Sequence, residues 1–190
     1  MKISAVLLAG GESHRMGKDK ATIIFRGKPL WQIQLDLLGK LELAEIFISA
    51  RTDPPWRPSD MQFISDDPPS RGPLSGLTAA LAQVQTGHLL ALAIDMPFMS
   101  ENYLRAIGNE VEPGCGVLPM IGDRAEPLAA IYPAHAHVDL VEALSGVEFS
   151  LQTLTNKLVK AGKLRALNVA KEEETLFWNL NEPTDLDLSQ

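Results

Sequence analysis

The sequence predicts an α/β protein, with a mostly parallel central sheet between two layers of helices. Two observations carry this expectation. Through roughly the first hundred residues, short apolar runs alternate with segments of helical periodicity, the pattern of right-handed βαβ units. The strand from Ile3 to Leu8 is a short apolar run, and the strand from His88 to Ile94 carries the continuously apolar Leu89 to Ile94, as parallel strands covered on both faces do. A third observation concerns placement. Gly10-Gly11, Asp66 and Asp95 each directly follow a predicted strand, and ligands on such sheets bind outside the carboxyl ends of the strands.

The elements follow in order. Ile3 to Leu8 opens the sheet. Ala21 to Phe25 reads as a short strand, and Arg26-Gly27-Lys28-Pro29 turns the chain. Pro29 suits the first position of a helix, where its missing N–H costs little. Leu30, Ile33, Leu37, Leu38 and Leu41 give that helix an apolar face. Glu45 to Ala50 and Gln62 to Ser65 are strands, separated by a loop rich in proline between Thr52 and Asp60. A small-residue helix runs from about Leu77 to Val84. His88 to Ile94 is the central strand, and Ser100 caps a helix through about Gly108.

Gly116 to Met120 and Ala129 to Tyr132 read as strands around a Gly122-Asp123-Arg124 turn. Ala134 to Leu144 and Ser150 to Leu158 read as helices, and Leu164 to Val169 as a late strand. The run Glu172-Glu173-Glu174 reads as a solvated loop rather than a metal site.

Length and composition set bounds. A chain of 190 residues suits one domain, and its hydrophobic fraction of 45% suits a globular core. No apolar run is long enough to span a bilayer, and Met1-Lys2-Ile3 enters a strand without a signal peptide's apolar region. The single Cys115 excludes an internal disulfide and reads as a small buried residue. The expectation is a cytoplasmic protein without a membrane partner. A formal net charge of −7 argues against nucleic acid as the main partner. Arg15, Lys18, Lys20, Arg26 and Lys28 nevertheless concentrate positive charge near the start, which suits a small anionic ligand.

The loop after the first strand is the centre of that charge. Gly10-Gly11 lets a ligand approach the backbone, and converging N–H groups make an anion site. Arg15 offers a planar fork to phosphate oxygens and Lys20 a mobile point charge. The spacing is not that of a Walker A loop, since five residues separate Gly11 from Gly17 and Asp19 stands where a hydroxyl is needed. Asp95, fixed at the end of a buried strand and followed by Met96-Pro97, suits magnesium, which takes one or two carboxylates and fills its shell with water and phosphate oxygens. Asn179 and Asn181 alternate with apolar residues and are expected on one strand face. His14, His135 and His137 have no evident catalytic partner.

The pattern L-A-G-G-x-S-x-R-M-G-x-D-K, from Leu8 to Lys20, resembles the nucleotide-binding signature of the molybdenum cofactor guanylyltransferases of the MobA type. Gly72-Pro73-Leu74-Ser75-Gly76 resembles that family's G-P-L-x-G segment, Asp95-Met96-Pro97-Phe98 its metal-binding aspartate motif, and Asn179-Leu180-Asn181 its N-x-N-T-P motif with Glu182 in place of threonine. The resemblance implies a three-layer, Rossmann-like nucleotidyltransferase fold over residues 1–190, the N-terminal half binding nucleotide and the C-terminal half the acceptor. It implies transfer of a guanylyl group from GTP to molybdopterin with release of pyrophosphate. Leu8, Ala9, Gly10, Gly11, Lys20, Asp66, Gly76 and Asp95 would hold GTP. Asn179 and Asn181 would hold molybdopterin. Lys20, Arg15 and Asp95 would be catalytic, with Mg2+ on Asp95. The recipient molybdoenzyme and other cofactor-biosynthesis proteins are further candidate partners. A cytidylyltransferase or a sugar-phosphate nucleotidyltransferase of the same fold, and a nucleotide-sensing module without catalysis, are the competing readings.

Overall fold

In the computed structural model, residues 2–10, 19–66, 70–147 and 149–180 are described. The first strand, β1 (Ile3–Leu8), is followed by a short 3-10 turn at Lys20–Thr22, then β2 (Ile24–Phe25), β3 (Lys28–Pro29) and helix α1 (Leu30–Leu38). Next come β4 (Leu43–Ala50), β5 (Gln62–Ser65), α2 (Pro73–Gln83), β6 (His88–Ala93) and α3 (Glu101–Asn109). The second half holds β7 (Gly116–Ile121), β8 (Arg124–Ala125), β9 (Ile131–Pro133), α4 (His137–Ser145), α5 (Leu151–Lys160) and β10 (Leu164–Asn168). A 3-10 helix at Lys171–Phe177 ends the regular structure described.

The main sheet runs in the order β10-β7-β9-β6-β1-β4-β5, with β8 paired to β7. Strand β1 is parallel to both β4 and β6, β4 to β5, and β10 to β7. Among the described residues of this sheet, only β9 and β8 run antiparallel to their neighbours. The sheet is therefore mostly parallel, as the sequence predicts.

Helices cover both faces. On one, Leu30 and Leu38 of α1, Tyr103 and Ile107 of α3, and Phe177 pack against Leu7, Ile48 and Leu92. On the other, Leu74 and Leu77 of α2, Leu140 of α4, and Leu154 and Leu158 of α5 pack against Val6, Phe47 and Ala91. Every residue of β6 is buried, which accounts for its unbroken apolar run.

Several expectations are corrected. The segment Ala21 to Phe25 is not one strand. The Asp19 carboxylate accepts from Ala21 N at 3.0 Å and starts the 3-10 turn, leaving two residues for a hairpin with β3. Pro29 is the extended residue before α1, not its first helical one. Helix α2 begins at Pro73, four residues earlier than the periodicity suggests, because Gly72 at φ 65° redirects the chain and proline fits a first turn. The strand expected at Ala129 to Tyr132 starts at Ile131, after a 3-10 turn at Pro127–Ala129. The triple glutamate lies in the 3-10 helix that carries Phe177 onto Tyr103, ring centres 5.2 Å apart, and not in a loop. Cys115 is only partly buried, in a β-bridge with Glu112.

Candidate active site

The carboxyl edge of the sheet is stitched by backbone bonds between strand ends. Ala9 N and Gly10 N both donate to Ser49 O, Asp66 N to Ala50 O, and Ile94 N to Leu8 O. The ends of β1, β4, β5 and β6 are thereby fixed relative to one another, and the predicted residues Leu8, Ala9, Gly10, Asp66 and Asp95 lie along this edge.

Asp66 sits deep in it, 6% exposed. The buried Ser49 hydroxyl donates to Asp66 Oδ1 at 2.5 Å. Burial pushes the Asp66 carboxyl above the usual range, with the Ser49 hydrogen bond and the charge of Arg51 opposing. Two glycines make room for it. A Cβ on Gly10 would collide with Asp66 Oδ2, and one on Gly76 with both Ser49 Oγ and Asp66 Oδ1. Their small size is thus required by close approach to the carboxylate.

Asp95 is more open. Lys20 Nζ donates to Asp95 Oδ2 at 2.9 Å, and the two side chains are 23% and 18% exposed. Lys20 is half-buried at the head of the 3-10 turn. Behind the pair, the buried Gln34 of α1 donates from Nε2 to Met96 O at 2.7 Å and braces the turn after Asp95. The backbone of Leu180 donates to Asp95 O at 2.9 Å. The motif near the C-terminus therefore reaches the aspartate at the end of β6.

Asn179 is not on a strand. It follows the last 3-10 helix, and its Oδ1 is buried without a partner among the described residues. Gly11, Arg15 and Asn181 lie outside the described residues, as do His14, Asp67 and Glu182.

The Lys20 pair uses Asp95 Oδ2, so Oδ1 is the oxygen that can meet a cation. Among the described residues no three of His, Cys, Asp and Glu converge. That donor set fits an ion held by one carboxylate, water and ligand phosphates, which is magnesium's habit.

Sequence reasoning missed the supporting residues. Ser49 and Gln34 are polar side chains in apolar elements, which is the signal that could have found them. Glu126 is 5% exposed beyond β8, held by Glu126 N to Pro119 O at 2.9 Å; burial pushes its carboxyl up and Arg124 opposes. His88, by contrast, is buried at the start of β6, the opposite edge from Asp95.

A family profile described as "MobA-like NTP transferase domain" matches residues 5–161. The chain is 32% identical to a protein of Opitutus terrae named "Probable molybdenum cofactor guanylyltransferase", over 97% of this chain and 93% of that one. It is 30% identical to the "Molybdenum cofactor guanylyltransferase" of Cereibacter sphaeroides, over 98% of this chain and 94% of that one. Among solved structures, molybdopterin-guanine dinucleotide biosynthesis protein A from Archaeoglobus fulgidus superposes with a TM-score of 0.74, at 23% identity, covering 100% of this chain and 96% of that one.

Proposed function

The chain belongs to the MobA-like NTP transferase family, and from that premise we propose that it transfers GMP from GTP to the phosphate of molybdopterin and releases pyrophosphate. An oxygen of the acceptor phosphate attacks the α-phosphorus of GTP. A new P–O bond forms, the bond from the α-phosphorus to the bridging oxygen breaks, and its electron pair leaves on pyrophosphate. The nucleophile is already an anion, so no side chain has to remove a proton.

The task left to the protein is to bring two anions together in line and to stabilise charge on the leaving group. Lys20 supplies positive charge beside Asp95. Arg15 and Gly11 complete the phosphate loop with Gly10. Leu8, Ala9, Asp66 and Gly76 shape the nucleoside side, and Asn179 and Asn181 take the acceptor. Asp95 would hold Mg2+, which when bound neutralises phosphate charge.

The observation that carries this reading is the convergence on Asp95. Its side chain meets Lys20 from the first loop, and its carbonyl meets Leu180 from the C-terminal motif. Donor and acceptor segments thus adjoin one carboxylate.

A pyrophosphate-release assay with four nucleotides, with and without molybdopterin, tests it. GTP is expected to exceed CTP and ATP in kcat/KM by at least about a hundredfold, or roughly 2.7 kcal/mol, because a site built to hydrogen-bond one base leaves its polar groups unpaired with another. Preferential use of CTP would make the protein a cytidylyltransferase. Binding of GTP without turnover would make it a sensor.

A further inference from the structure

Three segments that are remote in sequence converge beside Asp95. The first is the β2–β3 hairpin, whose two turn residues, Arg26 and Gly27, have φ of 48° and 79°. Both central residues of such a turn are left-handed, and asparagine, aspartate or glycine is favoured there. Arg26 is the one non-glycine residue with positive φ among the described residues. An arginine here is strained, and the turn itself gains nothing from it.

Its guanidinium carbon lies 5.2 Å from the ring centre of Phe25 and 5.7 Å from that of Phe98. Two aromatic faces therefore seat the cation. Among the described residues no carboxylate meets it, although the chain is acidic overall.

The second segment is the turn after β6, in which Phe98 follows Asp95 by three residues. The third is the C-terminal segment. Trp178 meets Phe98 edge to face at 6.3 Å and is 51% exposed, while Leu180 two residues on is buried and bonded to Asp95 O. An arginine with no carboxylate partner among the described residues and an exposed indole thus flank one phenyl ring, in the turn that follows Asp95. Asn179, between Trp178 and Leu180, has an amide oxygen without a partner among the described residues.

Resting on the transferase reading above, we propose that Arg26, Phe98 and Trp178 form the acceptor's recognition surface, with Trp178 stacking on the flat heterocycle and Arg26 pairing with its phosphate. The occupant is a planar ring carrying an anionic arm. The stack supplies affinity without demanding a particular edge, and the guanidinium, lightly hydrated over its aromatic seat, meets phosphate oxygens in a fork. Phe25 and Phe98 pack on the face of the sheet covered by α1 and α3, whereas Gly76 belongs to α2 on the other face, against Asp66, so the surface is expected to discriminate acceptors and leave the nucleotide alone.

The test uses the full chain in three variants, Arg26→Asn, Arg26→Lys and Trp178→Leu, with GTP and molybdopterin. Asparagine suits the left-handed turn better than arginine, so Arg26→Asn is expected to melt at or above the wild-type temperature. It should raise the acceptor KM about tenfold or more, with the GTP KM within about twofold. Arg26→Lys should recover part of that loss. Trp178→Leu should raise the acceptor KM about tenfold, the value of one lost stack.

Acceptor KM values unchanged in both Arg26→Asn and Trp178→Leu overturn the proposal, and would hand the patch to a protein partner. If the wild type transfers no nucleotide, it is the transferase reading that fails. Quenching of tryptophan fluorescence by molybdopterin then tests the surface separately. Loss of quenching in Trp178→Leu supports it, and quenching equal to wild type overturns it.

Discussion

Asp66 and Asp95 each follow a strand of the same sheet at the same edge, yet their surroundings are opposite. Asp66 is enclosed, bonded to the buried hydroxyl of Ser49 and pressed between two glycines. Asp95 is partly open, paired with a lysine and reached by a segment from the far end of the chain. The first carboxylate is built into the wall of the crevice. The second faces into it with a cation at its side. Strand-end position alone does not separate an enclosed carboxylate from an open, paired one. The partners do.

Substitutions can break this contrast. The largest effect is expected from Asp95→Asn, which keeps shape and removes charge. Turnover should fall about 10²–10³-fold, the typical cost of one group aimed at developing charge. Stability should change little, since a partly exposed ion pair is worth about 0–1 kcal/mol. Turnover across a magnesium titration and a melting curve check both halves. Wild-type turnover would make Asp95 a second wall.

On the enclosed side, Gly76→Ala should act through the fold. The new Cβ collides with Ser49 Oγ and Asp66 Oδ1, and overpacking of this kind costs about 1–3 kcal/mol. For a domain of this size each kcal/mol lowers Tm by roughly 2–4 °C. An unchanged melting temperature would mean that the Asp66 pocket is looser than its contacts imply.

The titration of Asp66 sharpens the contrast further. Its folded pKa is raised, so the stability this group contributes is present below the ordinary carboxyl value near 3.8 and is lost as pH rises through the folded value. Asp66→Asn keeps an acceptor for Ser49 and cannot ionise. Its melting temperature should therefore gain on wild type as pH climbs from 4 to 7. Parallel curves for the two proteins would show that burial does not govern this carboxylate.

The smallest effect belongs to the acceptor side. Asn179→Ala should weaken molybdopterin binding by about 1 kcal/mol and leave GTP binding intact, as the loss of one hydrogen bond does. Calorimetry with each ligand separates the outcomes. Loss of GTP affinity alone would place Asn179 on the nucleotide side of Asp95.

Much of this was legible in the chain itself. The apolar run Leu89 to Ile94 points to a central strand, because a strand covered on both faces hides such a run. Asp95, a charge placed directly after that run, has to sit at the sheet edge. Gly76 is an exception, because periodicity starts the helix at about Leu77 and only the structure sets Gly76 inside α2, against Ser49 and Asp66.

Other features had no local signature. Nothing near Lys20 names Asp95, 75 positions away, and nothing near Gln34 names the Met96 carbonyl, 62 positions away. In the sequence Arg26 is one of five basic residues near the start; only the folded hairpin sets its backbone left-handed, and only two rings brought from Phe25 and Phe98 seat its guanidinium. The sequence by itself determined where the long strands and helices lie, because periodicity and burial act over neighbouring residues, while short segments such as Ala21 to Phe25 were settled by tertiary contacts. The tertiary structure alone decided which of two similar aspartates is enclosed and which meets a cation. That difference arises from desolvation and from partners that only the folded chain brings within hydrogen-bonding distance.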